Sequence, residues 1–253
     1  MPPTTARALR RQDADTVSPH VARLVDFAEP SLTDDCLDLS CGGGPLPAAL
    51  APLVRHVTAL DGTRPQGSTG PDGRTPTVLF GRARARAADP DAPAVRASAT
   101  ALPYRPATFT LVTSRFSLAG LGEPAQVLRE MVRVCRPGGR VVIAEVVRPA
   151  RDGREHDRLE RLRDPAHHGT PTLDRLTELL TEAGAHVRRL ERFNVERPLE
   201  PWLATAPDQA GADRIRHALV EEIDGGPRTG ARPRVISGEL WFTQTWAHLA
   251  ASV

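Results

Sequence analysis

Residues 34–50, DDCLDLSCGGGPLPAAL, decide the fold. A short apolar run, Cys36-Leu37-Asp38-Leu39, halts at Ser40-Cys41-Gly42-Gly43-Gly44 and gives way to Pro45 and an Ala/Leu pattern. The order predicts a strand, a glycine-rich turn and a helix, in which bare backbone N–H groups and a helix N-terminus face a bound ligand. Glycine suits the turn because only a backbone without side chains bends that sharply and lets a ligand come that close. Pro45 fits the first helical position, where its missing N–H is no loss. Three glycines after an apolar run also describe an ordinary strand-to-helix turn, so the reading depends on the residues downstream.

Those residues agree with a ligand-facing turn. Val57-Thr58-Ala59-Leu60 predicts a second strand ending on Asp61, about 20 residues past the glycine turn, where nucleoside-binding α/β proteins place a carboxylate for ribose hydroxyls. Upstream, Val17–Ala28 carries apolar residues at 21, 24, 25 and 28, the stripe of an amphipathic helix. A helix is expected over 45–53, a loop over the Gly/Pro-dense Gly62–Pro76, a helix over Thr77–Ala88 and a short third strand at Val95–Ala97. Phe109–Ser114 reads as a fourth strand and Glu123–Cys135 as a helix stopped by Arg136-Pro137-Gly138-Gly139. Val141–Val147, almost wholly apolar, reads as a parallel strand covered on both faces. Beyond it come a solvated charged helix (Arg151–Arg163), a helix over Thr172–Ala183 with Gly184 as its cap, and a strand over Val187–Phe193. Pro198–Asp224 reads as a helical insertion with Leu219 and Ile223 on its apolar face, and Val235–Leu249 as a hairpin around Ser237-Gly238. The alternation implies an α/β fold: a doubly wound, mostly parallel, Rossmann-like sheet with an antiparallel edge strand and a small helical lid.

Composition narrows the partners. All 33 basic residues are arginine, scattered among 31 acids, for a net charge of +2. No basic face for nucleic acid is visible. Three cysteines, Cys36, Cys41 and Cys135, lie in apolar segments and cannot close a disulfide framework, so they read as reduced residues of a cytoplasmic protein. No Cys-x-x-Cys pair or His spacing suggests a metal. No leader-like apolar segment and no run of membrane-spanning length is present, which argues against a membrane partner.

The series LDLSCGGG, VTALD, ASATALPYRPATFTLVTSRFSL, LREMVRVCRPGGRVVIAE and ERLRDPAHHGTPTLDRLTELLTEAG resembles the class I S-adenosylmethionine (SAM)-dependent methyltransferases of the ubiquinone/menaquinone type. The resemblance covers roughly residues 20–195 and, more faintly, the remainder. It implies a single methyltransferase-like domain over 1–253: an N-terminal helical arm or lid over 1–30, a cofactor-binding half over 31–150, and a substrate-side half over 151–253 with the insertion at about 198–224. It also implies SAM as cofactor. Leu39, Ser40, Cys41, Gly42 and Gly44 would wrap its methionine part, and Asp61, with Gly62 beside it, its ribose. Ser98 and Ala99 would lie beside adenine, while Ser114 and Arg115 would line the site. Four features depart from the family pattern: Ser40 for the first glycine, Ser98 for an adenine-contacting Asp, Thr110 for an Asp, and Ala119-Gly120 where many relatives carry a His pair. The Gly/Pro loop after Asp61 is also unlike the family's helix start. Losing a charged acceptor at 98 removes a hydrogen bond worth roughly 1.5–3 kcal/mol, so SAM binding would be weakened or lost.

Methyl transfer is an in-line displacement that depends on positioning, with a base required only where the acceptor must lose a proton. The candidates are Glu145 at the end of the fifth strand and His167, which matches the His of the family's RDP-x-H segment; each has a simpler role as a cap or a loop residue. Arg115, at the end of a buried strand, must find an anion: the cofactor carboxylate, an acidic substrate, or Glu145. Glu160 and Arg163 read as a helix pair, and Trp202, Trp241, Trp246 and Tyr104 as packing residues. Three functions remain open on this sequence. They are a small-molecule tailoring methyltransferase, a SAM-independent cyclase acting by intramolecular displacement on the same fold, and a silent subunit supporting another enzyme.

Overall fold

The computed structural model describes residues 18–39, 45–61, 78–83, 95–121, 123–148, 153–165, 167, 169–204 and 206–253. The N-terminal arm, the glycine-rich stretch 40–44, the Gly/Pro-dense stretch 62–77, residues 84–94 and His168 lie outside them. In chain order come α1 (Pro19–Ala28), β1 (Asp35–Asp38), α2 (Pro45–Leu50) with a 3-10 turn over Ala51–Leu53, and β2 (His56–Asp61). These are followed by β3 (Val78–Ala83), β4 (Val95–Ala97), β5 (Phe109–Arg115), a 3-10 turn over Leu118–Gly120, α3 (Pro124–Val134) and β6 (Cys135–Val147). The chain continues through α4 (Gly153–Arg163), α5 (Leu173–Glu182), β7 (His186–Pro198), α6 (Leu199–Leu203), α7 (Gln209–Ile223), β8 (Arg234–Ile236) and β9 (Glu239–Ser252).

One sheet runs β4-β3-β2-β1-β5-β6-β9-β7, with β8 folded onto β9. The α/β, doubly wound architecture is the expected one. Its centre, β2-β1-β5-β6, is parallel. From β1 the chain steps outward to β2, then returns to the other side as β5, so the order reverses between β1 and β5. In open α/β sheets such a reversal opens a crevice at the carboxyl ends of the strands. The chain closes with β9 slotted antiparallel between β6 and β7.

Several boundaries differ from the sequence reading. Residues 78–83 form strand β3, antiparallel to β2, where a helix over 77–88 is expected. The β-favouring Val78-Leu79-Phe80 leads that segment, and the exposed edge of β2 offers it a hydrogen-bonding partner. The third strand, β4, consequently pairs with β3 and runs antiparallel to it. The Arg136–Gly139 stop belongs to β6, whose pairing with β5 jumps from Phe109↔Cys135 to Leu111↔Arg140. A Cβ on Gly139 would stand 2.7 Å from the Cys135 sulfur and 3.0 Å from the Thr110 carbonyl, so the irregularity needs glycine there. The insertion is two helices, and α7 buries Gly211, Ala212, Ile215, Ala218 and Leu219 while Ile223 is exposed. The charged helix α4 is not wholly solvated, because Leu159 and Glu160 are buried. The hairpin turn is as read: Ser237 and Gly238 both have positive φ, 53° and 83°, as a two-residue turn between twisted strands requires.

The central strands are buried on both faces. Leu37, Leu39, Val112, Val141, Ile143 and Leu249 face α3 and α5. Cys36, Leu111, Val142, Ala144 and Ala250 face α1 and α2. Cys36 and Cys135 are free, buried thiols, and burial raises both pKa values, that of Cys135 to about 11. At the amino ends of the strands Asp34 forms a clasp. Its carboxylate accepts from Thr110 Oγ1 (2.5 Å), the Ser31 N–H (2.8 Å) and Arg140 Nη2 (2.6 Å). Arg140 also donates to the carbonyls of Ala28 and Glu29, tying the end of α1 to β6. Thr110 is therefore a brace at the amino end of β5, remote from the crevice edge, and its departure from the family pattern does not bear on ligand binding. Burial alone would raise the Asp34 pKa; the three hydrogen bonds outweigh it and hold the carboxyl below its ordinary 3.8.

Asp34→Ala is expected to destabilise the fold by about 2–4 kcal/mol, because it strands the Arg140 guanidinium and two donors. In the native chain the stability from ionised Asp34 is present above pH 3.8 and is lost as pH falls through the lower folded value. Denaturant titration should show that acid loss in the native chain and not in Asp34→Asn.

Candidate functional site

The site forms where β1, β2 and β5 end. β1 and β2 run in parallel register, Asp38 opposite Ala59, and β2 continues to Asp61. Asp61 thus stands just past the level of Leu39, where the chain leaves β1 for the glycine-rich stretch. Its side chain lies outside the described residues, as do Ser40, Cys41, Gly42, Gly44 and Gly62. The described edge is tightly built. The Leu39 N–H donates to the Thr113 carbonyl at 2.7 Å. The Ser114 hydroxyl, fully buried, donates to the Leu39 carbonyl at 3.5 Å. Asp38 is fully buried and accepts from the Thr113 hydroxyl. The ends of β1 and β5 are thus tied to each other on both faces of β5. Ser98 and Ala99 follow β4; Ala99 is fully buried in the core, and the Ser98 hydroxyl is bonded to Thr100 at 2.7 Å.

The candidate acid–base residues separate. Glu145, on β6, is buried, and its Oε1 accepts from the backbone N–H groups of Ser117 and Leu118, both at 3.0 Å. It caps the 3-10 turn that follows β5 and thereby shapes the segment carrying Arg115 and Phe116. Burial raises its pKa to about 7, against the lowering pull of those two N–H groups and Arg115. His167 belongs to another cluster. Its Nε2 lies 3.2 Å from Thr170 Oγ1 and 3.6 Å from Asp157, and its N–H bonds the Asp164 carbonyl. None of those partners is Arg115 or Glu145. Glu160 pairs with Arg163 at 2.8 Å, the helix pair the spacing suggests.

Arg115 points to the opposite face from Glu145, since Leu111, Thr113 and Arg115 share the side of β5 that faces α1. Its guanidinium lies 4.5 Å from the Phe116 ring centroid. Phe116 meets Trp246 edge-on at 4.6 Å, and His20 in the first turn of α1 meets the same Trp246 at 4.8 Å. Sequence reasoning treats Trp246 as packing and passes over His20, Gln244 and Arg197. Only the strand pairing brings these together, because β9 lies between β6 and β7. Tyr104 packs edge-on against Phe109 at 4.9 Å, as expected for a core-filling residue. Trp202 stacks on Phe242 beneath α6. Among the described residues there is no cluster of metal-ligand type, and no helix long and apolar enough to cross a membrane.

Comparison with known proteins agrees with this geometry. Residues 37–143 match the methyltransferase domain family. A demethylmenaquinone methyltransferase of Clavibacter sepedonicus is 36% identical over 120 residues, covering 47% of this chain and 44% of that one. The chain thus spans less than half the length of that relative. Among solved structures, a Bacillus halodurans protein described as a methyltransferase has a TM-score of 0.69 at 20% identity, covering 93% of this chain and 99% of that one. The [4+2]-cyclase SpnF has a TM-score of 0.53 at 19% identity, over 92% of this chain and 79% of that one.

Because Glu145 is harder to ionise in the fold than in the open chain, native stability should fall as pH rises from 4.5 to about 7. The fall is on the order of 3 kcal/mol. Glu145→Gln keeps an acceptor for both N–H groups and should flatten this part of the stability–pH curve. Equal slopes for the two proteins in urea titrations at pH 5 and pH 8 would count against a buried, proton-retaining Glu145. Residues 37–143 match the methyltransferase domain family, and the chain shares the fold of solved structures described as methyltransferases.

Proposed function

We propose that the chain is a small-molecule tailoring methyltransferase that uses SAM and works in the cytoplasm. The observation that carries this reading is the pair of parallel strand ends, β1 and β2, that adjoin the sheet's reversal between β1 and β5. There the glycine-rich stretch leaves one strand beside Asp61 at the end of the other, in a chain with a methyltransferase domain. Leu39, Ser40, Cys41, Gly42 and Gly44 would hold the methionine part, Asp61 and Gly62 the ribose, and Ser98, Ala99 and Ser114 the remainder. When bound, SAM supplies an activated methyl on a sulfonium. The chain's own part is to orient an acceptor, exclude water and take up a proton where one is released. α1 covers one side of the strand ends, and α6 and α7 pack against α4 and β9. These helices are suited to act as the lid over the acceptor. In this arrangement Glu145 is a positioning residue, setting the turn after β5, and His167 serves as proton acceptor if its loop borders the bound acceptor.

A second reading keeps the fold and dispenses with the methyl donor: a cyclase that holds one substrate folded for intramolecular displacement. The Ser98 hydroxyl favours it, because that group is already bonded to Thr100 and stands where the family's Asp would meet adenine. The likeness to SpnF, a [4+2]-cyclase of similar fold, supports it too.

Isothermal titration with SAM and with S-adenosylhomocysteine separates the two readings. The methyltransferase reading expects binding of both, weakened about tenfold or more in Asp61→Ala. No heat from either nucleoside, with folded protein, would remove it and leave the cyclase.

A further inference from the structure

On the face of the sheet covered by α1, two arginines flank one group of rings, and among the described residues neither is ion-paired to an acid. Arg197, near the end of β7, is half-buried, and its Nη1 donates to Gln244 Oε1, at 3.4 Å. The same oxygen accepts from Trp246 Nε1 at 3.3 Å. Trp246 in turn touches Phe116 and His20, and Arg115 lies over Phe116. Among the described residues no carboxylate comes within ion-pair distance of Arg115 or Arg197. Of the acids that act on them, Glu160 is bonded to Arg163, Asp38 accepts from Thr113 through Oδ1, and Glu145 accepts from two backbone N–H groups on the far face. Burial lowers the pKa of both arginines. Asp38 draws the Arg115 value part of the way back up, Arg197 pushes it down and Glu145 acts less, while Arg163 lowers Arg197 against Glu160. His20, lowered by burial and by Arg115, Arg197 and Arg23, adds no counter-charge. Half-buried guanidinium groups left in this state are costly unless a ligand supplies the anion.

We propose that Arg115 and Arg197, arrayed around Trp246 and Gln244 beneath the first turn of α1, bind an anionic group of the acceptor, a carboxylate or phosphate carried on a flat, unsaturated portion. The flat portion is indicated by the Trp246–Phe116–His20 ring group beside the two cations, in which Phe116 and His20 are only partly buried. Ring systems favour edge and offset contacts with such surfaces. This rests on the reading of the crevice as an acceptor site, and it makes the substrate an acid rather than a neutral molecule.

The test uses the full chain, titrated calorimetrically with benzoate, phenyl phosphate and the uncharged benzamide, in the presence and absence of S-adenosylhomocysteine. At least one of the two anions should bind about tenfold or more tightly than benzamide, and which one binds identifies the group. Arg197→Gln and Arg115→Gln should each weaken that anion about tenfold or more. Arg192→Gln, an exposed arginine on the same strand, should leave it unchanged, and Arg197→Lys should retain part of it. Each variant's melting curve establishes that it is folded. No binding of either anion, equal binding of benzamide, or indifference to Arg197→Gln overturns the proposal. So does a parallel loss of S-adenosylhomocysteine affinity in Arg197→Gln, which would assign the arginines to the cofactor's carboxylate. Should S-adenosylhomocysteine fail to bind the native chain while an anion binds, the methyltransferase reading falls and the anion site stands.

Discussion

No water reaches the middle of this sheet, and that exclusion governs where every charge on its strands can sit. β1, β5 and β6 are apolar on both faces, so a polar side chain on them must be answered by protein within a few ångströms. At the amino ends Asp34 is answered by Thr110, Ser31 and Arg140. At the carboxyl ends Asp38 is answered by Thr113, and Glu145 by the start of the 3-10 turn. Each of these contacts ties a loop or a neighbouring strand to an end of the sheet. The ends differ in purpose. One is closed by ion pairing, while the other leaves cations facing inward.

That asymmetry divides the labour between the two faces. The face under α3 and α5 is filled with Leu, Val and Ile, and its one buried acid, Glu145, is used to shape a turn. The face under α1 becomes aromatic and polar toward the strand ends, through Phe193, Trp246, His248 and Gln244. His248 is held there between Phe27 and Phe193 with its pKa lowered to about 4 by burial, so it stays neutral across the physiological range.

The order of strands and helices was legible because local signals agreed with one another. The stripe of α1, the Gly184 cap of α5, the turn at Ser237-Gly238 and the apolar run in β6 each point one way. Asp61 was legible as the residue on which the second strand ends. β3 was not, since Thr77–Ala88 mixes a β-favouring start with a helix-favouring Arg/Ala tail, and the deciding partner is the edge of β2, remote in sequence. Which turn Glu145 caps, and that Arg197 is a neighbour of Arg115, were equally hidden. The first depends on a turn 28 residues away, and the second on β9 inserting between strands. A sequence shows which side chains are available for a site, but contacts set by strand insertion appear only in three dimensions.

The placement of β9 has a consequence for biosynthesis. It pairs with β6 over Thr245–Ser252 on one side and with β7 over Trp241–Ser252 on the other, yet it is translated after both. Until it arrives, β6 presents a long apolar edge with unmet backbone groups, the kind of surface that recruits a wrong strand. A nascent chain paused within the helical insertion would carry that open edge, so elongation speed through α6 and α7 becomes a factor in how much of the chain reaches its native form.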